Sequence, residues 1–177
     1  MKSCAALVLA PLLAIAGVSR AEVLDSAAGG FTVRETVVAN VPASKVWESL
    51  IQPAGWWSSS HTFSHDARSL TLAPKPGGFW LETLPSGGGV RHMVVVYVDP
   101  PAVLRLEGAL GPLQDFGVAG HLTFRLAAQG AGTLIVATYD VGGHAPGGLD
   151  RLADPVDRVL GEQLTRLKAR AETGVAP

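Results

Sequence analysis

Residues 78–98 read Gly78-Phe79-Trp80-Leu81-Glu82-Thr83-Leu84, then Pro85-Ser86-Gly87-Gly88-Gly89, then Val90-Arg91-His92-Met93-Val94-Val95-Val96-Tyr97-Val98. Two apolar runs flanking a Gly-rich stretch of this length predict a β-hairpin. A turn centred on Gly87 pairs Glu82 with His92, Trp80 with Val94 and Leu84 with Val90. Side chains alternate faces along a strand, so this register gathers Trp80, Glu82, His92, Val94 and Val96 on one face. That face is apolar and is expected to turn toward the core. A carboxylate and an imidazole on it must either satisfy each other or line a cavity.

The neighbouring segments extend the pattern. Phe31 to Ala39 is rich in Val and Thr and predicts a strand. Pro42 to Ile51 predicts a short helix, with Val46, Trp47, Leu50 and Ile51 on one face. Pro53-Ala54-Gly55 ends it, and an irregular stretch with Trp56-Trp57 follows. Ser69 to Ala73 and Val103 to Leu110 predict further strands. His121 to Ala128 and Thr133 to Val141 predict a second hairpin, turning at Gln129 to Gly132. Asp154-Pro155 is a good N-cap and first-turn pair for a final helix. The apolar face of that helix is Val156, Val159, Leu160, Leu164 and Leu167. Leu149 and Leu152 belong either to a preceding turn or to the same helix kinked at Pro155. The fold class is therefore α+β: a curved antiparallel sheet wrapped around a long C-terminal helix, with short helices after the first strand.

The chain has 177 residues, of which 47% are hydrophobic and 16% charged. This is enough for one domain with a sizeable core. With 14 basic and 15 acidic residues the formal charge is −1, so no basic field points to nucleic acid. Lys2, the apolar run Ala5 to Val18, and Ser19-Arg20-Ala21 have the three regions of a secretory signal peptide. The run is short for a bilayer span. The expected division is 1–21 signal peptide, 22–30 flexible leader and 31–172 domain, with cleavage after Ala21, or alternatively after Ala16. Export to the periplasm follows, with no stable membrane span after cleavage. Cys4 is the only cysteine and would leave with the signal.

Several motifs in this order resemble the SRPBCC superfamily, the START-like helix-grip fold. They are Val41-Pro42-Ala43-Ser44-Lys45-Val46-Trp47, Trp56-Trp57, Pro76-Gly77-Gly78-Phe79-Trp80, Val98-Asp99-Pro100-Pro101-Ala102-Val103-Leu104-Arg105-Leu106 and Gly130-Ala131-Gly132-Thr133-Leu134-Ile135-Val136. The closest subgroup by these residues is the heat-shock-protein ATPase activator homologue-like domain. The resemblance spans Phe31 to Ala171 and implies a helix-grip fold. The superfamily includes lipid carriers, cyclases, receptors and co-chaperone domains, so the fold alone does not select among them. An exported protein would not meet a cytosolic chaperone, so that partner is not expected.

Glu82 and His92 are the candidate acid–base pair, the carboxylate orienting the ring and raising its pKa. The plainer reading is a cross-strand ion pair. Tyr139 lies inward by the alternation of Ile135, Ala137 and Tyr139, and a buried tyrosine needs a partner for its hydroxyl. Of Trp56 and Trp57, one can seal the core while Trp57 guards a pocket entrance. The Gly-rich apolar loop from Gly108 to Gly117 can act as a lid or fold onto the core. His61 and His65 sit four apart in a Ser-rich loop, a weak metal pattern, and no metal or other cofactor is expected. Asp150, Arg151, Asp157 and Arg158 read as a solvated helix face. The first expectation is a secreted protein binding a small apolar or amphipathic ligand between sheet and helix. Its ligand-binding residues would be Trp57, Trp80, Glu82, His92, Val94 and Tyr139. The alternatives are a cyclase or hydrolase with His92 as base and Glu82 as orienter, and a pocketless protein-interaction module.

Overall fold

The computed structural model describes residues 20–177. The signal peptide expected at the N-terminus lies almost wholly outside them. Eight strands make one antiparallel sheet in the order β1-β2-β8-β7-β6-β5-β4-β3. They are β1 (Arg20–Ala27), β2 (Gly30–Ala39), β3 (Leu70–Leu72), β4 (Phe79–Thr83), β5 (Gly89–Asp99), β6 (Val103–Gly108), β7 (Gly117–Gln129) and β8 (Gly132–His144). Two helices complete the fold, α1 (Ala43–Leu50) and α2 (Asp150–Thr173). The α+β helix-grip class read from the sequence is the class observed.

Helix α2 covers the sheet with Leu160, Leu164 and Leu167, all buried. They share one buried core with the inward row of the sheet, which includes Val33, Val37, Leu106, Leu122 and Ile135. Each such aliphatic side chain taken from water stabilises the fold by roughly 1.5–3 kcal/mol. Trp56, Trp57 and Trp80 fill the space on the β3–β4 side. Trp57 and Trp80 meet edge-on with ring centroids 4.9 Å apart.

Three expectations are corrected. Residues 22–27, read as part of a flexible leader, pair with β2 as the edge strand β1. Helix α2 begins at Asp150, so Asp154-Pro155 is not its N-cap and first turn, and the alternative reading that carries Leu152 through Pro155 in the same helix holds. Complete burial of Leu149 and near-complete burial of Ala153, with the Leu149 N–H donating to the Ala28 carbonyl, hold the chain in place ahead of the proline. One missing helical hydrogen bond does not outweigh that packing.

The third correction concerns the hairpin. Its Gly-rich loop closes through Gly87 N–H to the Leu84 carbonyl and Leu84 N–H to the Gly88 carbonyl. Glu82 then pairs with Val90, not His92, and Trp80 pairs with Met93. Between Trp80 and Leu81 the register slips, leaving His92 as the extra residue of a β-bulge. Both His92 and Met93 are buried as a result, as a two-against-one bulge permits. Gly108 of β6 makes room: a Cβ there would lie 2.4 Å from the His92 carbonyl oxygen. Beyond the bulge the alternation is inverted. Val95 faces the core, Val96 is exposed, and Val94 stands opposite the exposed Phe79. A second slip at Val96, against Leu106 and Arg105 of β6, follows.

Candidate binding cavity

The first turns of α2 carry Leu152, Pro155, Val156, Val159 and Leu160 along one stripe. That stripe borders an open-mouthed cavity of about 410 Å³. Opposite the helix stand two loops. One, between α1 and β3, contributes Trp57, Ser60, His61, Thr62 and Phe63. The other, between β6 and β7, contains a 3₁₀ turn at Gly111–Asp115 and contributes Leu110, Gly111, Pro112, Leu113 and Phe116. No sheet residue is among the lining. The concave face under α2 is filled by its own side chains, and the open space lies at one end of it.

Most side-chain polar atoms of the lining are already engaged. The Trp57 indole N–H donates to the His61 carbonyl at 3.0 Å. The Thr62 hydroxyl donates to the Ser59 carbonyl at 2.8 Å, and the Ser60 and Ser58 hydroxyls share a 2.8 Å hydrogen bond. The Nε2 of His61 meets the Glu162 carboxylate of α2 at 3.0 Å. What remains toward the cavity is mainly apolar surface. Such a site holds a molecule by shape and burial.

Behind the loops lies the Glu82–His92 pair. The Nε2 of His92 is 2.9 Å from Oε2 of Glu82, although the two are not cross-strand partners. The bulge turns the ring back toward the carboxylate. Facing a carboxylate, Nε2 carries the hydrogen, which leaves Nδ1 as acceptor for the Gln114 side-chain amide at 3.3 Å. Phe63 stacks over the ring, with centroids 6.0 Å apart. The other Glu82 oxygen accepts from the Ser64 N–H. The pair therefore ties both mouth loops to the sheet. Burial pushes the His92 pKa down more than the Glu82 carboxylate lifts it, so the expected rise is corrected to a fall. For Glu82, burial raises the pKa, but hydrogen bonds from Ser64, His92 and Phe63 outweigh it and leave the net shift downward.

Tyr139 is fully buried, as its alternation predicts. Its hydroxyl donates to the Gly108 carbonyl at 3.2 Å and accepts from the Leu110 N–H at 3.2 Å. It pins the start of the Gly111–Asp115 loop, and burial pushes its pKa up.

Of the residues expected to bind ligand, Trp57 lines the cavity and Trp80, Glu82, His92, Val94 and Tyr139 do not. Trp80 packs behind Trp57. Glu82, His92 and Tyr139 hold the loops that form the mouth, and Val94 lies on the other face of the hairpin. Acid–base chemistry by His92 inside the cavity finds no opening, because both ring nitrogens are engaged within the protein. Sequence reasoning reached the Gly108–Gly117 loop, which lines the cavity through Leu110, Leu113 and Phe116, but missed Phe63 and the stripe of α2 as lining. The available signal was large apolar residues placed in loops, where only a few can join a core.

It also missed a second buried acid. Glu35 alternates with Val33 and Val37 on the inward face of β2 and is 1% exposed. Its oxygens have no hydrogen-bond donor among the described residues. It faces Asp157 of α2, where Gly161 brings the helix close: a Cβ there would lie 3.1 Å from Glu35 Oε1. Burial first, then the Asp157 carboxylate, pushes the Glu35 pKa up to about 8. Asp157, read as part of a solvated face, is thus half-buried against β2.

Residues 30–172 match the family model described as polyketide cyclase/dehydrase and lipid transport. The chain belongs to this family. The SRPBCC resemblance read from the motifs holds at that level, while the narrower heat-shock subgroup has no support among the comparisons. No curated protein matches the chain. Among solved structures, CalU16 from Micromonospora echinospora superposes with a TM-score of 0.62 at 15% identity, over 93% of this chain and 80% of that one. A conserved protein of unknown function from Enterococcus faecalis gives 0.57 at 17% identity, over 92% and 81%. A protein from Rhizobium leguminosarum gives 0.56 at 21% identity, over 88% and 98%. At these identities the likeness concerns the fold. Among the described residues, no helix is long and apolar enough to cross a membrane.

Proposed function

We propose that the protein is exported and carries a small apolar molecule in the cavity between the start of α2 and the two mouth loops. The observation that carries this reading is the cavity itself, about 410 Å³ of largely apolar lining, most of whose side-chain polar atoms already have partners. Apolar area removed from water contributes roughly 25 cal/mol per Å², which makes such a space a favourable refuge for a hydrophobic solute. Membership of a family described by lipid transport as well as cyclisation agrees with carriage. Export rests on the sequence of residues 1–21.

The test is occupancy. Protein recovered from the periplasm is extracted with organic solvent and the extract analysed by mass spectrometry, and the stripped protein is titrated with the neutral probe N-phenyl-1-naphthylamine. A stoichiometric small molecule in the extract, or saturable probe binding lost in Val156→Trp, is the expected result. Finding neither an extracted molecule nor probe binding would overturn the proposal.

A further inference from the structure

We propose that the cavity selects neutral apolar molecules and turns away their anionic counterparts. This selectivity rests on the occupancy proposed above and adds the chemistry of the occupant. No lysine or arginine is among the lining residues. The one titratable side chain among the described lining residues, His61, has its Nε2 against the Glu162 carboxylate at 3.0 Å, so that nitrogen is already engaged. The hydroxyls of Ser60 and Thr62 and the Trp57 N–H are committed to other protein groups. The Leu110 N–H is held by Tyr139.

A carboxylate or phosphate entering this space would lose its hydration and meet no lysine or arginine among the described lining residues. An alcohol, ketone or hydrocarbon loses far less. A volume of about 410 Å³ lies toward the lower end of the roughly 300–1,000 Å³ usual for small-molecule sites. The occupant is then a compact neutral molecule, such as a medium-chain alcohol or a small fused-ring compound, and not a free fatty acid.

The experiment compares two competitors that differ only at the head. N-phenyl-1-naphthylamine bound to the full mature protein is displaced with decanol or with decanoate near pH 7, where decanoate is ionised. Decanol is expected to displace the probe, and decanoate to require at least about tenfold more, as an uncompensated buried charge implies. Val156→Lys, which sets an ammonium on the lining, should bring decanoate close to decanol. Ser60→Arg, at an exposed loop position, offers the same charge from the rim if Val156→Lys does not fold. Decanoate competing as well as decanol in the unaltered protein would overturn the selectivity and leave occupancy intact. A folded protein that binds no probe would instead overturn the occupancy on which the selectivity rests.

Discussion

The imidazole of His92 meets the carboxylate of Glu82 at 2.9 Å, and its other nitrogen receives Gln114 from the Gly111–Asp115 turn. One buried ring thus joins the sheet to a loop of the cavity mouth. A neutral imidazole with one hydrogen suits this arrangement: one nitrogen donates and the other accepts.

The His92 midpoint in an NMR titration should therefore fall below its ordinary 6.5. Glu82→Gln removes the charge that favours the imidazolium and should lower the midpoint further. A wild-type midpoint at or above 6.5 would mean that burial does not dominate. Between the folded value and 6.5, the unfolded chain binds more protons at His92, so this contribution to stability is present above that window and lost as pH falls through it. Glu82 adds a loss of the same sign from 4.5 downward. Glu82→Gln should also cost about 1–3 kcal/mol near neutrality, because it weakens the acceptor for the buried His92 ring and for the backbone donors of the loop before β3.

Glu35 acts in the opposite direction. With its pKa raised from 4.5 to about 8, the folded state holds a proton that the unfolded chain releases. Its contribution is fully present below 4.5 and declines as pH rises toward about 8. Denaturant midpoints measured from acid to alkaline pH for wild type and Glu35→Gln isolate this effect. The variant should gain on wild type steadily across that window, and parallel curves would show that Glu35 titrates normally.

Truncating the helix cover should separate core from cavity. Leu164→Ala and Leu167→Ala should each cost about 2–5 kcal/mol in chemical denaturation, as expected for fully buried leucines. Val159→Ala, at the half-buried rim of the cavity, should cost less than about 1.5 kcal/mol. Equal losses at all three would show that the space beside Val159 is closed.

Gly108→Ala should destabilise by about 1–3 kcal/mol, the usual scale of overpacking. The new methyl would meet a backbone carbonyl, that of His92, which cannot step aside without undoing the bulge. A change near zero in thermal or denaturant unfolding would mean that the bulge relaxes freely.

Export predicts a mature protein whose N-terminal sequence begins near Glu22. Full-length chain recovered from the cytosol of the producing cell would contradict it.

Strand and helix identities were legible because period-two and helical apolar spacing are local properties. The bulge at His92 was not, because it depends on Gly108, which comes from another strand and carries no side chain. That one extra residue turned a predicted cross-strand pair into a contact made across the bulge, and moved Val94 to the other face. Strand β1 was obscured by Asp25 and Ser26 just ahead of the Gly29-Gly30 turn, residue types typical of loops. The cavity was hardest to foresee, since the packing of two loops against α2 decides which apolar side chains stay uncovered. Glu35 could have been found: Val33, Glu35 and Val37 share one face at strand spacing. Ala153, Asp157 and Gly161 share another at helical spacing.

The two bulges of β5 also bear on how relatives of this chain can vary in length. A protein lacking one residue at His92 or Val96 would regain a regular ladder there without shortening any turn, and the neighbouring residues would keep their partners and their faces. Insertions and deletions can therefore be absorbed inside this strand as well as in loops. When sequences of the family are aligned, a gap belongs at these two points before it is placed in the Pro85–Gly89 turn, because a misplaced gap exchanges inward for outward residues between the turn and the bulge.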